Sequence, residues 1–340
     1  MVTHNSQLVS TEISLLWTTY VQDSLATYII KHFQLTSEDP DLDSILSYSL
    51  KCSNEHLEQI KSVFDQEKIP IPKAFSSQDL CEDVPKLFPD TFMYRFLEHM
   101  SRVGLSNYGL GKSTVVRKDI RKLAGIWLNE SGHLYDMIID VMTEKGILVR
   151  SPSMAYPTEN EFVQKSHFFT DGFLDEDRPL LSVEISHLST NIEANHTVSS
   201  LFLAYAQVAR EQKLRSLFLR GHEIAEKHAE ILSSILKKED VRAPSGWDSS
   251  LTDSTTPPFS DYLMANNIAA IISIGISYYG TAMGASLRKD LLIHYGRLFA
   301  ELGQFAEDLA ELMIKHQWME KPPQVLNREQ IVKKAPRKTD

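Results

Sequence analysis

Carboxylates and histidines in the first half of the sequence lie near the middle of segments whose apolar residues recur at helical spacing. Glu130 and His133 are three residues apart, so their side chains lie about one helical turn from each other. Asp23 and His56 lie near the middle of two further segments of this kind. Carboxylate oxygens and imidazole nitrogens bind iron, manganese or zinc. The first functional hypothesis is therefore that these four residues converge on a metal ion.

The second half of the sequence contains a weaker counterpart of this set. In place of Asp23, His56, Glu130 and His133 it carries Asn195, His228, Glu301 and Gln304. Two of the four ligand types are lost, so we predict a weakened or empty metal site there, with His228, Glu301 and Asn195 as its remaining polar residues. The alternative interpretation is a buried His–Glu hydrogen bond in each half, which satisfies both groups without a metal.

The pattern departs from that of a two-iron centre. Such centres use a Glu-x-x-His motif on two helices, but Ser53 or Ala225 stands three residues before the histidine of the second helix. Glu98 and His99 lie near the start of the third helix, where we predict surface charges. A mononuclear site, or a relic of one, is the form of the metal hypothesis that the sequence supports best.

The chain is a tandem duplication. Glu12-Ile13-Ser14 recurs as Glu184-Ile185-Ser186, and matches continue at nearly constant spacing along both halves. The later matches include the Tyr-Gly pairs at Tyr108 and Tyr279 and the Arg-Lys-Asp turns at Arg117 and Arg288. The two tyrosines occupy equivalent places, where they either donate hydrogen bonds to the site or pack in the core.

Each copy contains four helical segments. Predicted helix starts lie at Ser10, Asp39-Pro40, Pro89-Asp90 and Asp119, and near Ser182, Glu211, Ser260 and Asp290. Only the connection between the second and third segments is long, at 69–89 and 241–259. Two antiparallel hairpins joined by a long crossover are typical of a ferritin-like bundle. The sequence therefore predicts an all-α protein with two tandem ferritin-like four-helix bundles, at 1–165 and 166–322, followed by a flexible tail at 323–340.

Composition and termini restrict the partners and the location. The formal net charge of -10 and the pI of about 5.7 argue against nucleic-acid binding, which needs clustered basic charge. Two cysteines are too few for a disulfide framework, and the N-terminus lacks the apolar core of a signal peptide. We therefore predict a cytoplasmic protein.

One apolar segment, 268–287, is as long as a membrane span. The equivalent segment of the first copy, 97–116, carries several charged residues, so we predict a fully buried helix and no membrane span. Within it, a small-residue stripe comprises Ser273, Ser277, Gly280 and Gly284. Such a stripe indicates either core packing or a helix face that forms a homo-oligomer.

These features together carry a family resemblance. With its duplicated bundle, its repeated motifs and the Trp-Asp-Ser segment at Trp247–Ser249, the chain resembles the uncharacterised ferritin-like proteins of spore-forming Firmicutes that carry a tandem domain of unknown function. The resemblance covers Ser10 to Pro323 and implies the fold but no activity. A more distant similarity to ferritin-like spore-coat proteins implies the alternative function, a non-enzymatic structural, stress- or spore-associated interaction protein with a vestigial metal site.

A third functional hypothesis, ligand storage in an apolar bundle cavity, has no sequence feature of its own. The sequence does not decide whether the protein is an enzyme.

Overall fold

The structure is a computed structural model that describes residues 6–164, 168, 178–244 and 251–329. Within these ranges the chain forms eight α-helices: α1 (Ser10–Thr36), α2 (Pro40–Glu67), α3 (Asp90–Thr114), α4 (Lys118–Glu144), α5 (Ser182–Val208), α6 (Gln212–Lys238), α7 (Asp261–Ala285) and α8 (Lys289–Lys315). Every helix start lies within one residue of its predicted position. The Trp247–Ser249 segment and the predicted tail beyond residue 329 lie outside the described residues.

The Glu-Ile-Ser motifs begin the first helix of each half. Serine is a common N-cap residue, but Ser10 is already helical and Val9 is the N-cap of α1. The Val9 N–H donates to Glu12 Oε2 at 2.9 Å. The Leu181 N–H likewise donates to Glu184 Oε2 at 2.9 Å. Each motif glutamate thus satisfies a backbone donor that has no partner within the helix.

The same glutamate holds a polar cluster that occurs in both halves. Glu12 Oε1 accepts the Arg117 N–H at 2.8 Å, and the Arg117 guanidinium pairs with Glu67 and Asp119 at 2.6 and 2.8 Å. The second half repeats this cluster with Glu184, Arg288, Glu239 and Asp290. The Arg-Lys-Asp turns therefore connect the start of the fourth helix to the start of the first and the end of the second.

Each half is a four-helix bundle. The short turns between α1 and α2 and between α3 and α4 make these pairs antiparallel neighbours, and α1 packs on α3 and α2 on α4. The second half repeats the arrangement, with α5 on α7 and α6 on α8. The long connection of each half joins its second helix to its third. This architecture confirms the predicted fold class of two tandem helical bundles, each with a long crossover.

One hydrophobic core spans both halves, and a second, smaller cluster lies within the second bundle. Aromatic rings meet where α1 and α5 end and α3 and α7 begin: His32 lies 6.3 Å from Phe88 and 5.2 Å from Phe259 between ring centroids. The crossover connections also pair, because the Cys81 N–H donates to the Pro258 carbonyl at 2.8 Å. Helix α3 contacts α5 and α1 contacts α7 across the same boundary.

Helix α7 differs from its prediction. By length and composition alone it could cross a membrane. Its first half is buried, but Ser273, Ser277 and Gly280 are exposed, so the prediction of a fully buried helix is wrong. A Cβ atom added to Gly280 or Gly284 would meet nothing within 4 Å. The small-residue stripe therefore does not pack against another described element, and the homo-oligomer contact stays a prediction.

Candidate ligand-binding site

Three of the predicted site residues meet inside the first bundle. Asp23 lies on α1, His56 on α2 and Glu130 on α4. Asp23 Oδ2 lies 2.8 Å from His56 Nδ1, and Glu130 Oε2 lies 2.8 Å from His56 Nε2. Ser53, one turn before His56, donates to Asp23 Oδ1 at 3.3 Å. Both ring nitrogens of the buried histidine thus face carboxylate oxygens.

These contacts determine the charge of the imidazole. Burial alone would lower the pKa of His56, but the hydrogen bonds to Asp23 and Glu130 raise it to about 9. Burial raises the pKa of Asp23, and the hydrogen bond from His56 opposes that rise. At neutral pH the His56 of this Asp23–His56–Glu130 triad is therefore an imidazolium that lies between two carboxyl groups.

The second bundle assembles its equivalents differently. His228 Nδ1 lies 2.9 Å from the Tyr279 hydroxyl, which also bonds Asn195, and Nε2 lies 3.1 Å from Glu301 Oε2. Glu301 Oε1 forms an ion pair with Lys227. Burial lowers the pKa of His228, so this histidine is neutral. A neutral histidine, whose carboxylate partner is paired with Lys227, thus takes the place of the protonated histidine of the first bundle.

His133 does not join the site. Its side chain is exposed, and its ring packs edge-on against Tyr48 with 5.0 Å between centroids. Gln304, its counterpart in the second half, is also exposed. The predicted convergence of the Glu130-x-x-His133 motif is therefore wrong, because a three-residue step turns the second side chain away from the bundle interior.

The residues do not form a prepared metal site. Each ring nitrogen of His56 already bonds a carboxylate, so a metal ion would first have to displace one of these partners. Across the described residues there is no group of three or more His, Cys, Asp and Glu arranged to hold a metal ion.

The triad lies at the inner end of a cleft of about 1070 Å³. The cleft runs between the halves, along α1 and α3 of the first and α5 and α7 of the second, and extends into the first bundle as far as α2 and α4. Nearly half of its lining residues carry a hydroxyl group, among them Thr19, Ser53, Ser101, Tyr108 and Ser131. No lysine or arginine occurs among the described residues that line it.

The equivalent space in the second bundle is almost closed, with a volume of about 40 Å³. The side chains at matching positions explain the difference. Polar residues of the first half correspond to apolar ones of the second in four pairs: Cys52 and Ile224, Ser53 and Ala225, Ser101 and Ile272, and Ser131 and Leu302. The first half thus has an open pocket lined by hydroxyl groups and apolar side chains, where the second half has a packed interior.

Another buried charge cluster joins the halves, and the prediction of Glu98 as a surface charge is wrong. Glu98 is 3% exposed and pairs with Arg95 at 3.1 Å and Arg102 at 2.7 Å. Arg102 also reaches Glu193 of the second half at 3.6 Å. The His99 ring packs against Tyr278 of α7. Packing between the halves, which no single-helix pattern reveals, buries these residues.

Fold and site define a class, the tandem helical-bundle proteins in which one bundle keeps a polar interior. The family described as "Protein of unknown function (DUF3231)" matches residues 1–159 and again 168–331. The chain therefore belongs to this family and contains two copies of its domain. No curated protein matches.

One solved structure from Bacillus halodurans, described as a "putative spore coat protein", is similar to this chain. It is 18% identical, has a TM-score of 0.40, and its match covers 44% of this chain and 98% of that one.

Proposed function

We propose that this protein is a non-enzymatic binding protein whose first bundle holds a small polar molecule without negative charge. The observation that carries the proposal is the difference between the copies, because the first opens a hydroxyl-lined pocket at the triad and the second fills the same space. Ligand pockets typically combine apolar walls with a few convergent polar groups. Here Leu97, Met100 and Leu134 supply apolar walls beside the triad.

The charges of the pocket favour binding over catalysis. The protonated His56 has no free ring nitrogen with which to accept a proton. Burial raises the pKa of the nearby Cys52 thiol to about 11, so this group is not a thiolate nucleophile at neutral pH. An anionic ligand would face the carboxyl groups of Asp23 and Glu130 without a lysine or arginine in the described lining to offset them.

A bound iron, manganese or zinc ion is the second candidate. One observation favours it: Asp23 bonds His56 Nδ1 in the way that carboxylates orient metal-binding imidazoles. His56 Nε2, Glu130 and Cys52 face the same cleft and would then supply the ligands. The occupied Nε2 weighs against this candidate. Elemental analysis of the purified protein distinguishes the two, since the first proposal expects no stoichiometric metal.

The location and the partners follow from the sequence and remain proposals. We expect a cytoplasmic protein that does not bind nucleic acid. An association with spores is a proposal that microscopy of a fluorescent fusion during sporulation would test.

The binding proposal can be tested by filling the pocket. Ser131→Leu introduces the residue that the second half carries, and Leu302 shows that leucine fits beside the equivalent glycine, Gly275. Saturation-transfer NMR with small polyols, amides and amines should detect binding to the wild type, and the variant should bind at least about tenfold more weakly. Ser62→Leu makes the same change at an exposed site away from the cleft and should leave binding unchanged.

Two outcomes would refute the proposal. The first is that no compound binds at millimolar concentration, and the second is that binding is equal in wild type and Ser131→Leu.

A further inference from the structure

The two halves differ in how they neutralise the glutamate of the fourth helix. In the second half, Glu301 bonds His228 through Oε2 and the Lys227 ammonium through Oε1. In the first half, the position of Lys227 is occupied by Glu55. Glu55 points to solvent, where its nearest cation is Lys51 at 3.8 Å. The first half therefore replaces the ammonium partner of its glutamate with another acid.

Glu130 is left with an open oxygen. Its Oε2 bonds His56, and among the hydrogen bonds of the described residues none reaches its Oε1. The Glu130 side chain is 21% exposed and lines the cleft. The other titratable groups around it are Asp23, His56, Cys52, Tyr48 and Tyr108, of which only His56 is cationic at neutral pH.

We infer that the ligand of the first bundle is an organic amine whose ammonium group pairs with Glu130, in the role that Lys227 plays for Glu301. This inference rests on the proposed binding function and specifies its ligand class. An ammonium brings up to three N–H donors, and Glu130 Oε1 is an acceptor that no described group occupies. The Ser53 and Ser131 hydroxyls line the same space as further acceptors.

The pocket also favours an alkyl group on the amine. Ile30, Phe96, Leu97, Met100 and Leu134 line the same cleft as the triad. Contact with such side chains stabilises a bound alkyl chain, because each CH₂ group is removed from water. A small inorganic cation would leave these walls uncovered.

The test uses three probes of equal chain length with different head groups: hexylammonium, 1-hexanol and hexanoate, at matched ionic strength. Dissociation constants are measured by NMR titration of the full chain. Hexylammonium should bind at least about tenfold more tightly than 1-hexanol, and hexanoate should not bind. The variant Glu55→Lys supplies an internal ammonium and should weaken hexylammonium binding at least about tenfold. The matched control Lys227→Glu changes the second half and should leave it unchanged.

The outcomes separate this inference from the binding proposal. If 1-hexanol and hexylammonium bind equally well and Ser131→Leu weakens both, the pocket binds ligands but the amine inference is overturned. The amine inference is also overturned if Glu55→Lys is folded, as judged by its melting temperature, and still binds hexylammonium as tightly as the wild type. If none of the three probes binds and the broader panel fails as well, both proposals are overturned.

Discussion

Alkaline pH should destabilise this protein through His56. The hydrogen bonds from Asp23 and Glu130 raise the pKa of the folded histidine to about 9, whereas an unfolded histidine titrates near 6.5. A raised pKa contributes stability that is fully present below pH 6.5 and is lost as the pH rises through about 9. The difference corresponds to about 3 kcal/mol of unfolding free energy. Because His56 is only 4% exposed, solvent screens this contribution little.

The assay is urea unfolding followed by circular dichroism at several values between pH 6 and 10. The unfolding free energy of the wild type should fall by about 3 kcal/mol over this range. His56→Gln removes the titrating group and should flatten the fall. His228→Gln is the matched control, because His228 is neutral and lacks a second carboxylate, and it should retain the fall.

Parallel pH profiles for the wild type and His56→Gln would refute the reasoning. Such a result would mean that Asp23 and Glu130 do not hold a proton on the imidazole at alkaline pH.

Two further predictions concern stability elsewhere. Arg117→Met should lower the unfolding free energy by about 1 to 3 kcal/mol, because Arg117 is buried and its loss removes the charged hydrogen bonds to the partly exposed carboxylates of Glu67 and Asp119; a loss below about 0.5 kcal/mol in urea unfolding would contradict this. His32→Leu should raise the unfolding free energy at pH 7 by about 1 to 2 kcal/mol, because both ring nitrogens of His32 are buried without a hydrogen-bond partner in the described structure. Burial lowers the pKa of His32 to about 4, so the wild type should also lose stability as the pH falls from 6.5 to 4. An unchanged acid profile in His32→Leu would rule out this origin.

The sequence predicts much of the fold because the relevant signals are local. Helical periodicity, capping residues and the long crossovers locate all eight described helices, and the duplication predicts two equivalent units. The meeting of Asp23, His56 and Glu130 could also be anticipated, since each lies near the middle of its helix. The prediction that His133 joins the site is wrong for a geometric reason. Residues three apart share only a broad helix face, and Glu130 points into the bundle whereas His133 packs against Tyr48 outside it.

The cleft could not be predicted in the same way. It depends on how the bundles pack on each other, which no periodicity within one helix specifies. One signal was nevertheless available in the sequence. Aligning the copies reveals small or polar residues such as Ser101 and Ser131 opposite Ile272 and Leu302. The exchange of Lys227 for Glu55 is visible in the same alignment, but its meaning depends on the contact with Glu301.

The contacts between the halves have approximate twofold symmetry. Helix α3 contacts α5, and the equivalent helix α7 contacts α1. Leu80 in the first long connection pairs with Phe259 of the second half. At the equivalent place in the second connection, the Thr252 hydroxyl donates to the Leu87 carbonyl of the first half. A dimer of identical chains with this isologous interface would carry every substitution in both of its pockets. Joining the subunits in one polypeptide removes that constraint. One bundle can then keep a closed, stabilising interior while the other acquires an acidic, accessible chamber.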